Sequence, residues 1–175
     1  TLFRTNVFAP LEVIRHVIPH MRAQRSGKII NISSIAGEFG LPFRGVYSAA
    51  KSALDRFSET LRMELAPWNI PVSVIQPGDF RTHINKNRHI AAKSQSETSV
   101  YKKAFDKMYA SISKEVAEGK DPVYVGKVAW KIIRTKNPRM RYPAASHLQR
   151  MSISINRILP TDLFQKLLIK RYPVE

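Results

Sequence analysis

Tyr47 and Lys51 stand four residues apart in Tyr47-Ser48-Ala49-Ala50-Lys51, with Ser34 thirteen residues upstream. On a helix that spacing puts the two side chains on one face, one turn apart. An ammonium beside a phenol favours the phenolate, which in water alone forms only near about pH 10. Such a pair suits proton exchange with a substrate oxygen near neutral pH.

The surrounding sequence supplies elements able to position that pair. Residues 2–24 place Val7, Leu11, Ile14, Val17, Ile18 and Met21 at helical spacing, with Pro10 expected to bend the helix and Ser26-Gly27 to end it. Residues 28–33 read as a short buried strand rich in isoleucine. After the loop 36–42, a second helix is expected over 45–66, with Ala49, Ala50, Ala53, Leu54, Phe57, Leu61 and Leu65 as its apolar stripe and Pro67 as its stop. A second buried strand follows at 71–76 and ends in Pro77-Gly78. Two buried strands joined by a long helix make a βαβ unit, hence a parallel sheet with a right-handed crossover.

The polar, basic stretch 83–98 reads as a long loop, of the kind that serves as a lid or binding segment. Further helices are expected over 99–118 and 122–135. Asp121-Pro122 starts the second of these, and Val125, Val128, Ala129, Ile132 and Ile133 should face inward. Met140-Arg141-Tyr142-Pro143 reads as a last strand. In open α/β sheets ligands bind outside the carboxyl ends of the strands. Ser33-Ser34 and Pro77-Gly78 lie at two such ends with the Tyr47–Lys51 helix between them, so these residues should converge on one crevice.

Together these segments resemble the short-chain dehydrogenase/reductase family. The residues that carry the resemblance are Asn6 in Asn-Val-Phe-Ala, Ile30-Asn31-Ile32-Ser33-Ser34-Ile35-Ala36-Gly37, Tyr47-x-x-x-Lys51 and Pro77-Gly78-x-x-x-Thr82. The spacings agree: 28 residues from Asn6 to Ser34, 13 from Ser34 to Tyr47 and 30 from Tyr47 to Pro77. The resemblance implies an NAD- or NADP-dependent oxidoreductase that interconverts an alcohol and a ketone or aldehyde. Tyr47 is then the general acid or base. Lys51 assists it and holds the nicotinamide ribose, Ser34 holds the substrate oxygen, and Asn6 holds a water that links Lys51 to solvent. Pro77, Gly78 and Thr82 hold the nicotinamide. The resemblance also implies a homo-oligomer, dimer or tetramer.

The implied fold is a Rossmann-like, doubly wound parallel sheet flanked by helices, incomplete here because its first strands are missing. Residues 1–157 are the C-terminal part of one catalytic domain, and 158–175 form an amphipathic extension. The family's glycine-rich pyrophosphate turn is absent from these residues, and Gly37-x-x-Gly40 lacks its spacing. Two expectations follow: part of an intact oxidoreductase, or a relative without turnover that serves as an interaction module or peripheral membrane protein. A glycine-rich strand-turn-helix encoded upstream separates them.

Phe39, Phe43 and Phe80, with Leu41, Ile84 and Ile90, flank the strand ends and suggest a pocket for an apolar alcohol or carbonyl compound. The amphipathic stretch 159–171 sets Leu163, Phe164, Leu167 and Leu168 beside Lys166, Lys170 and Arg171. It suits a lid or subunit contact, or peripheral contact with an anionic membrane. A cytoplasmic location, with or without that contact, is the matching expectation. The net charge of +16 is high, yet the cations are spread along the chain without a nucleic-acid motif, so no nucleic-acid partner is expected. No cysteine is present, which excludes disulfides and thiolate sites, and the scattered histidines lack metal-ligand spacing.

Overall fold

Isoleucine and valine dominate the segments that form β1 (Ile29–Ile32) and β2 (Val72–Pro77), which pair in parallel with Ile29 opposite Val72 and Ile32 opposite Ile75. A computed structural model describes residues 1–85, 90, 94, 96–172 and 174 of the chain. A third parallel strand, β3 (Arg141–Ala144), joins the other side of β2, so the sheet order is β1-β2-β3. Among the described residues β1 has a strand on one side only.

Helices cover both faces of the sheet. On one face, α1 (Ala9–Ala23) and α2 (Gly45–Glu64) bring Ile14, Leu61 and Leu65 against Ile29, Ile70 and Val72. On the other, Ile132 of α4 (Val123–Arg134) packs with Ile75, Phe80 and Ala144. This is the expected α/β architecture of a Rossmann-like fold. The crossover that parallel pairing demands between β1 and β2 is α2. Outside the sheet, α3 (Lys102–Ala117), α5 (His147–Ile158) and α6 (Thr161–Arg171) complete the chain.

Several boundaries have visible causes. Asp121 accepts the Val123 N–H through Oδ1 at 2.8 Å, which starts α4 as expected. At the far end of α4, the Lys28 ammonium bonds the carbonyls of Ile132, Ile133 and Thr135, a favourable place for a cation. Ser146 and Gln149 form a reciprocal capping box at the start of α5. Ile133, expected inward, is half exposed, because the buried stripe of α4 is centred on Ile132 one position earlier.

The first helix is not uniform. Arg4–Phe8 forms a π-helical turn in which the N–H of Ala9 reaches back five residues to the carbonyl of Arg4, and α1 then starts beside Pro10. Pro10 has no N–H to give to the Asn6 carbonyl, so the expected bend appears as a slipped ladder at Asn6. Within the expected loop 83–98, His83–Asn85 form a single 3₁₀ turn; residues 86–89, 91–93 and 95 lie outside the described residues. Among the described residues no helix is long and apolar enough to cross a membrane.

Candidate active site

The carboxyl ends of β1 and β2 open into a cleft of about 1160 Å³. Ser34, Tyr47, Pro77, Gly78 and Thr82 all line it, as do Phe39 and Phe80. Ser34 is buried directly after β1; its hydroxyl donates to the Pro77 carbonyl at a long 3.4 Å and accepts the Ala36 N–H at 3.2 Å. The two strand ends are thereby tied across the floor of the cleft. Thr82 accepts the Ile84 N–H at 3.4 Å, which leaves its own proton free to donate.

Tyr47 is half-buried on the first turns of α2 and makes no hydrogen bond among the described residues. Cations flank its ring: the Arg44 guanidinium lies 4.7 Å from the centroid and the Lys51 Nζ 5.9 Å. Lys51 is buried beneath the cleft and donates to the Ile32 carbonyl at 3.1 Å. Burial pushes its ammonium below the ordinary lysine range, and the charge of Asp55 opposes that shift.

Asn6 stands apart from the cleft lining. Its side-chain amide donates to the Leu2 carbonyl at 3.0 Å, a bond within its own helix. Phe43 is also not brought to the cleft. The backbone turns left-handed there (φ 57°), and the ring packs edge-on against Tyr101 and Phe105 at 6.1 and 6.0 Å.

A buried polar network lies behind the site. Tyr47, Lys51 and Asp55 recur every four residues along α2. Asp55 Oδ2 accepts from the Gln76 amide at 2.9 Å, and the same nitrogen donates to Glu38 at 2.7 Å. Arg157 and Arg141 approach Glu38 at 3.0 and 3.3 Å. Burial raises the pKa of Asp55, and its hydrogen bonds oppose the rise. Burial also works against the Glu38 carboxylate, but the bonds from Gln76 and Arg157 and the two arginine charges outweigh it and lower its pKa. Gly37 lets the loop after β1 reach this network, because a Cβ there would stand 2.9 Å from Asp55 Oδ2 and 3.1 Å from the Lys51 carbonyl carbon. Sequence reasoning missed the network; the one readable signal was the recurrence of Tyr47, Lys51 and Asp55 at four-residue intervals.

The opposite wall comes from the C-terminal helices; the sequence points to the helix over 99–118 and to the lid reading of 159–171, but not to α5 or to the wall they make together. Leu168 and Arg171 of α6 line the cleft, with Glu115 of α3 and Gln149 of α5. Phe164 is buried edge-on against Phe39 at 5.1 Å, and Arg171 pairs with Glu115. The Tyr172 hydroxyl donates to Glu115 at 3.3 Å; burial and the Glu115 charge push its pKa up to about 12. Burial raises the Glu115 pKa, with the Arg171 charge acting against the rise. Gln149 bonds the Asp79 carboxylate beside Gly78, where any Cβ would run into Gln149 and stand 2.9 Å from the Ala145 methyl.

A family profile described as short chain dehydrogenase matches residues 1–94. A 3-ketodihydrosphingosine reductase of Bacteroides thetaiotaomicron is 37% identical over 161 residues, covering 92% of this chain and 60% of that protein. Among solved structures, a short chain dehydrogenase/reductase from Burkholderia phymatum in complex with NAD superposes with a TM-score of 0.71 at 20% identity, covering 94% of this chain and 58% of that one. Another, from Burkholderia cenocepacia in complex with NADP, superposes with a TM-score of 0.61 at 21% identity, covering 95% and 57%. The chain thus spans about 60% of the length of the curated relatives it matches.

Proposed function

The chain belongs to the short chain dehydrogenase family, and from that premise we propose that its protein is an NAD- or NADP-dependent oxidoreductase interconverting an apolar alcohol and its carbonyl form. The observation that carries this reading is the single cleft at the strand ends, where Ser34, Tyr47, Pro77, Gly78 and Thr82 meet above the buried Lys51. Ser34 holds the substrate oxygen and stabilises charge that develops on it. The unpartnered Tyr47 hydroxyl gives that oxygen a proton in reduction and takes one in oxidation. Lys51 favours the phenolate through its positive charge.

The nicotinamide cofactor, when bound, supplies or accepts the hydride. The arrangement of residues fits such a group: the Ile32 side chain at the end of β1 is 47% exposed, and polar groups of Ser34, Tyr47 and Thr82 surround an open cleft. Lys51 would hold its ribose, and Pro77, Gly78 and Thr82 its nicotinamide. Asn6 would hold a water on the path from Lys51 to solvent, and the missing N–H of Pro10 leaves the Asn6 carbonyl a natural acceptor for it.

Phe39, Leu41, Phe80, Ile84, Ile112 and Leu168 give the cleft an apolar lining, which supports an apolar substrate. The 3-ketodihydrosphingosine named for the Bacteroides relative is the first ketone to try. The test is titration of the full-length protein with NADH and NADPH, following each fluorescence separately, then turnover with apolar ketones. Tyr47→Phe should still bind cofactor and lose turnover by about 10²–10⁴-fold. Retained turnover in that variant, or no cofactor binding by the parent, would overturn the proposal.

A further inference from the structure

Helix α5 carries two stripes that the catalytic reading leaves unused. His147, Arg150, Ser154 and Arg157 follow one another at helical spacing, and so do Leu148, Met151, Ile155 and Ile158 one position along. The first stripe lines a groove of about 480 Å³ shared with Met140, Arg141 and Pro143 of the β3 side, and no acidic side chain lines that groove. Arg157 and Arg141 share Glu38, whereas the side chains of Arg150 and His147 make no hydrogen bond or ion pair among the described residues. Three of the four residues of the second stripe are open to solvent, Leu148 at 75%, Met151 at 53% and Ile158 at 81%, while Ile155 is half-buried.

We propose that α5 is a docking surface for an anionic lipid bilayer. Cations beside an exposed apolar row are the pattern of a helix lying in the membrane interface. A second copy of the chain fits the groove poorly, since a two-fold contact brings a patch against itself and would set arginine against arginine. A nucleic acid would meet the cations but gain nothing from Leu148, Met151 and Ile158, and α5 offers no Phe, Tyr or Trp on which successive bases could stack. The neighbouring α6 adds Lys166 and Lys170 beside exposed Leu163 and Leu167, while its Phe164 and Leu168 are turned inward. Leu163, Leu167 and Ile169 of α6 are each about half exposed, whereas α5 carries the more fully exposed apolar residues, Leu148 and Ile158. Leu148 also lines the cleft, so docking would set the cleft mouth at the bilayer.

Vesicle flotation of the full-length protein tests this without reference to turnover. Binding is expected to phosphatidylcholine vesicles doped with phosphatidylglycerol, weaker binding to phosphatidylcholine alone, and loss of the difference at high salt. Arg150→Gln should weaken partitioning about fivefold, and Met151→Ser with Ile158→Ser should weaken it on both vesicle types. All three positions are exposed, and far-UV circular dichroism checks that the variants remain folded. Equal binding to both vesicle types, no binding, or binding unchanged in these variants would overturn the proposal. So would concentration-dependent self-association that the same substitutions abolish, which would make the stripes a subunit contact.

Discussion

One wall of the cleft is made by the ends of β1 and β2 with α2; the other is made by α3, α5 and α6. The first rests on a parallel ladder and on side chains that solvent hardly reaches: Ile75, Val72 and Gln76 are fully buried, and Asp55 nearly so. The second rests on Phe164 against Phe39, on the smaller cluster of Met108, Ile112 and Val116 that Tyr172 joins, and on ion pairs whose arginines are exposed, Arg171–Glu115 and Arg157–Glu38. Bonds shielded from water hold geometry, whereas exposed ion pairs contribute little and open readily. The reacting groups proposed here sit on the fixed wall, and the groups that meet an apolar substrate sit partly on the movable one. Positioning and access are thus separate properties of the molecule.

The sharpest way to separate them is Ser34→Ala. Removing the donor to the substrate oxygen should cut turnover of the full-length protein by about 10²–10³-fold while the thermal midpoint stays put. A shifted midpoint would mean that the Ser34–Pro77 tie holds the floor together. Ile75→Ala should do the reverse. It opens a cavity between sheet and α4 and should cost about 3 kcal/mol in denaturant unfolding, with little effect on the turnover of molecules that remain folded. A loss well under 1 kcal/mol would show that this wall is less tightly packed than its burial indicates.

The same division explains what could be read from the sequence. The strands, α2 and the convergence of Ser34, Tyr47 and Pro77-Gly78 follow from periodicity, turn residues and the topology of a parallel sheet, which are local or nearly local signals. Lys51 could be placed by its spacing from Tyr47, but its burial depends on Ile32 and Asp55 and could not. Phe43 packs against Tyr101 and Phe105 rather than lining the cleft, and nothing in its neighbours announces its left-handed backbone. The network from Asp55 through Gln76 to Glu38, Arg141 and Arg157 spans more than a hundred residues, with Arg157 bonded to Glu38 across 119 positions. Pairings over such separations leave no periodic trace. Of the C-terminal wall, α3 is legible as the helix over 99–118 and α6 as an amphipathic segment, but not their meeting at the cleft.

A smaller effect is expected from Phe164→Ala. It should destabilise the docking of α6 by about 1–2 kcal/mol, seen as earlier proteolysis within 158–172 and a raised KM for bulky apolar substrates at nearly unchanged kcat. An equal fall in kcat would show that α6 also sets the geometry of the reacting groups.

The smallest and most discriminating effect is in pH, because Glu38 on one wall and Glu115 on the other are shifted in opposite directions, with Asp55 beside Glu38 raised as Glu115 is. Glu38 is held below its ordinary value, so its contribution is complete above about 4.5 and is lost as pH falls through its lowered value. Glu115 lies above that value, so its folded state holds a proton more tightly than the unfolded chain does. The lid is then favoured at mildly acidic pH and weakens as pH rises through the raised value. Hydrogen exchange should accordingly show α6 better protected near pH 5 than near pH 8, and β2 rather than α6 losing protection on further acidification, as Glu38 takes up its proton. Arg171→Gln sharpens the contrast. It removes the charge that acts against the Glu115 shift, so the pH dependence of α6 should steepen, while Glu38, held by Arg157 and Arg141, should titrate as before. If α6 and β2 lose protection together over the same pH range, the two walls are one cooperative unit and their separation fails.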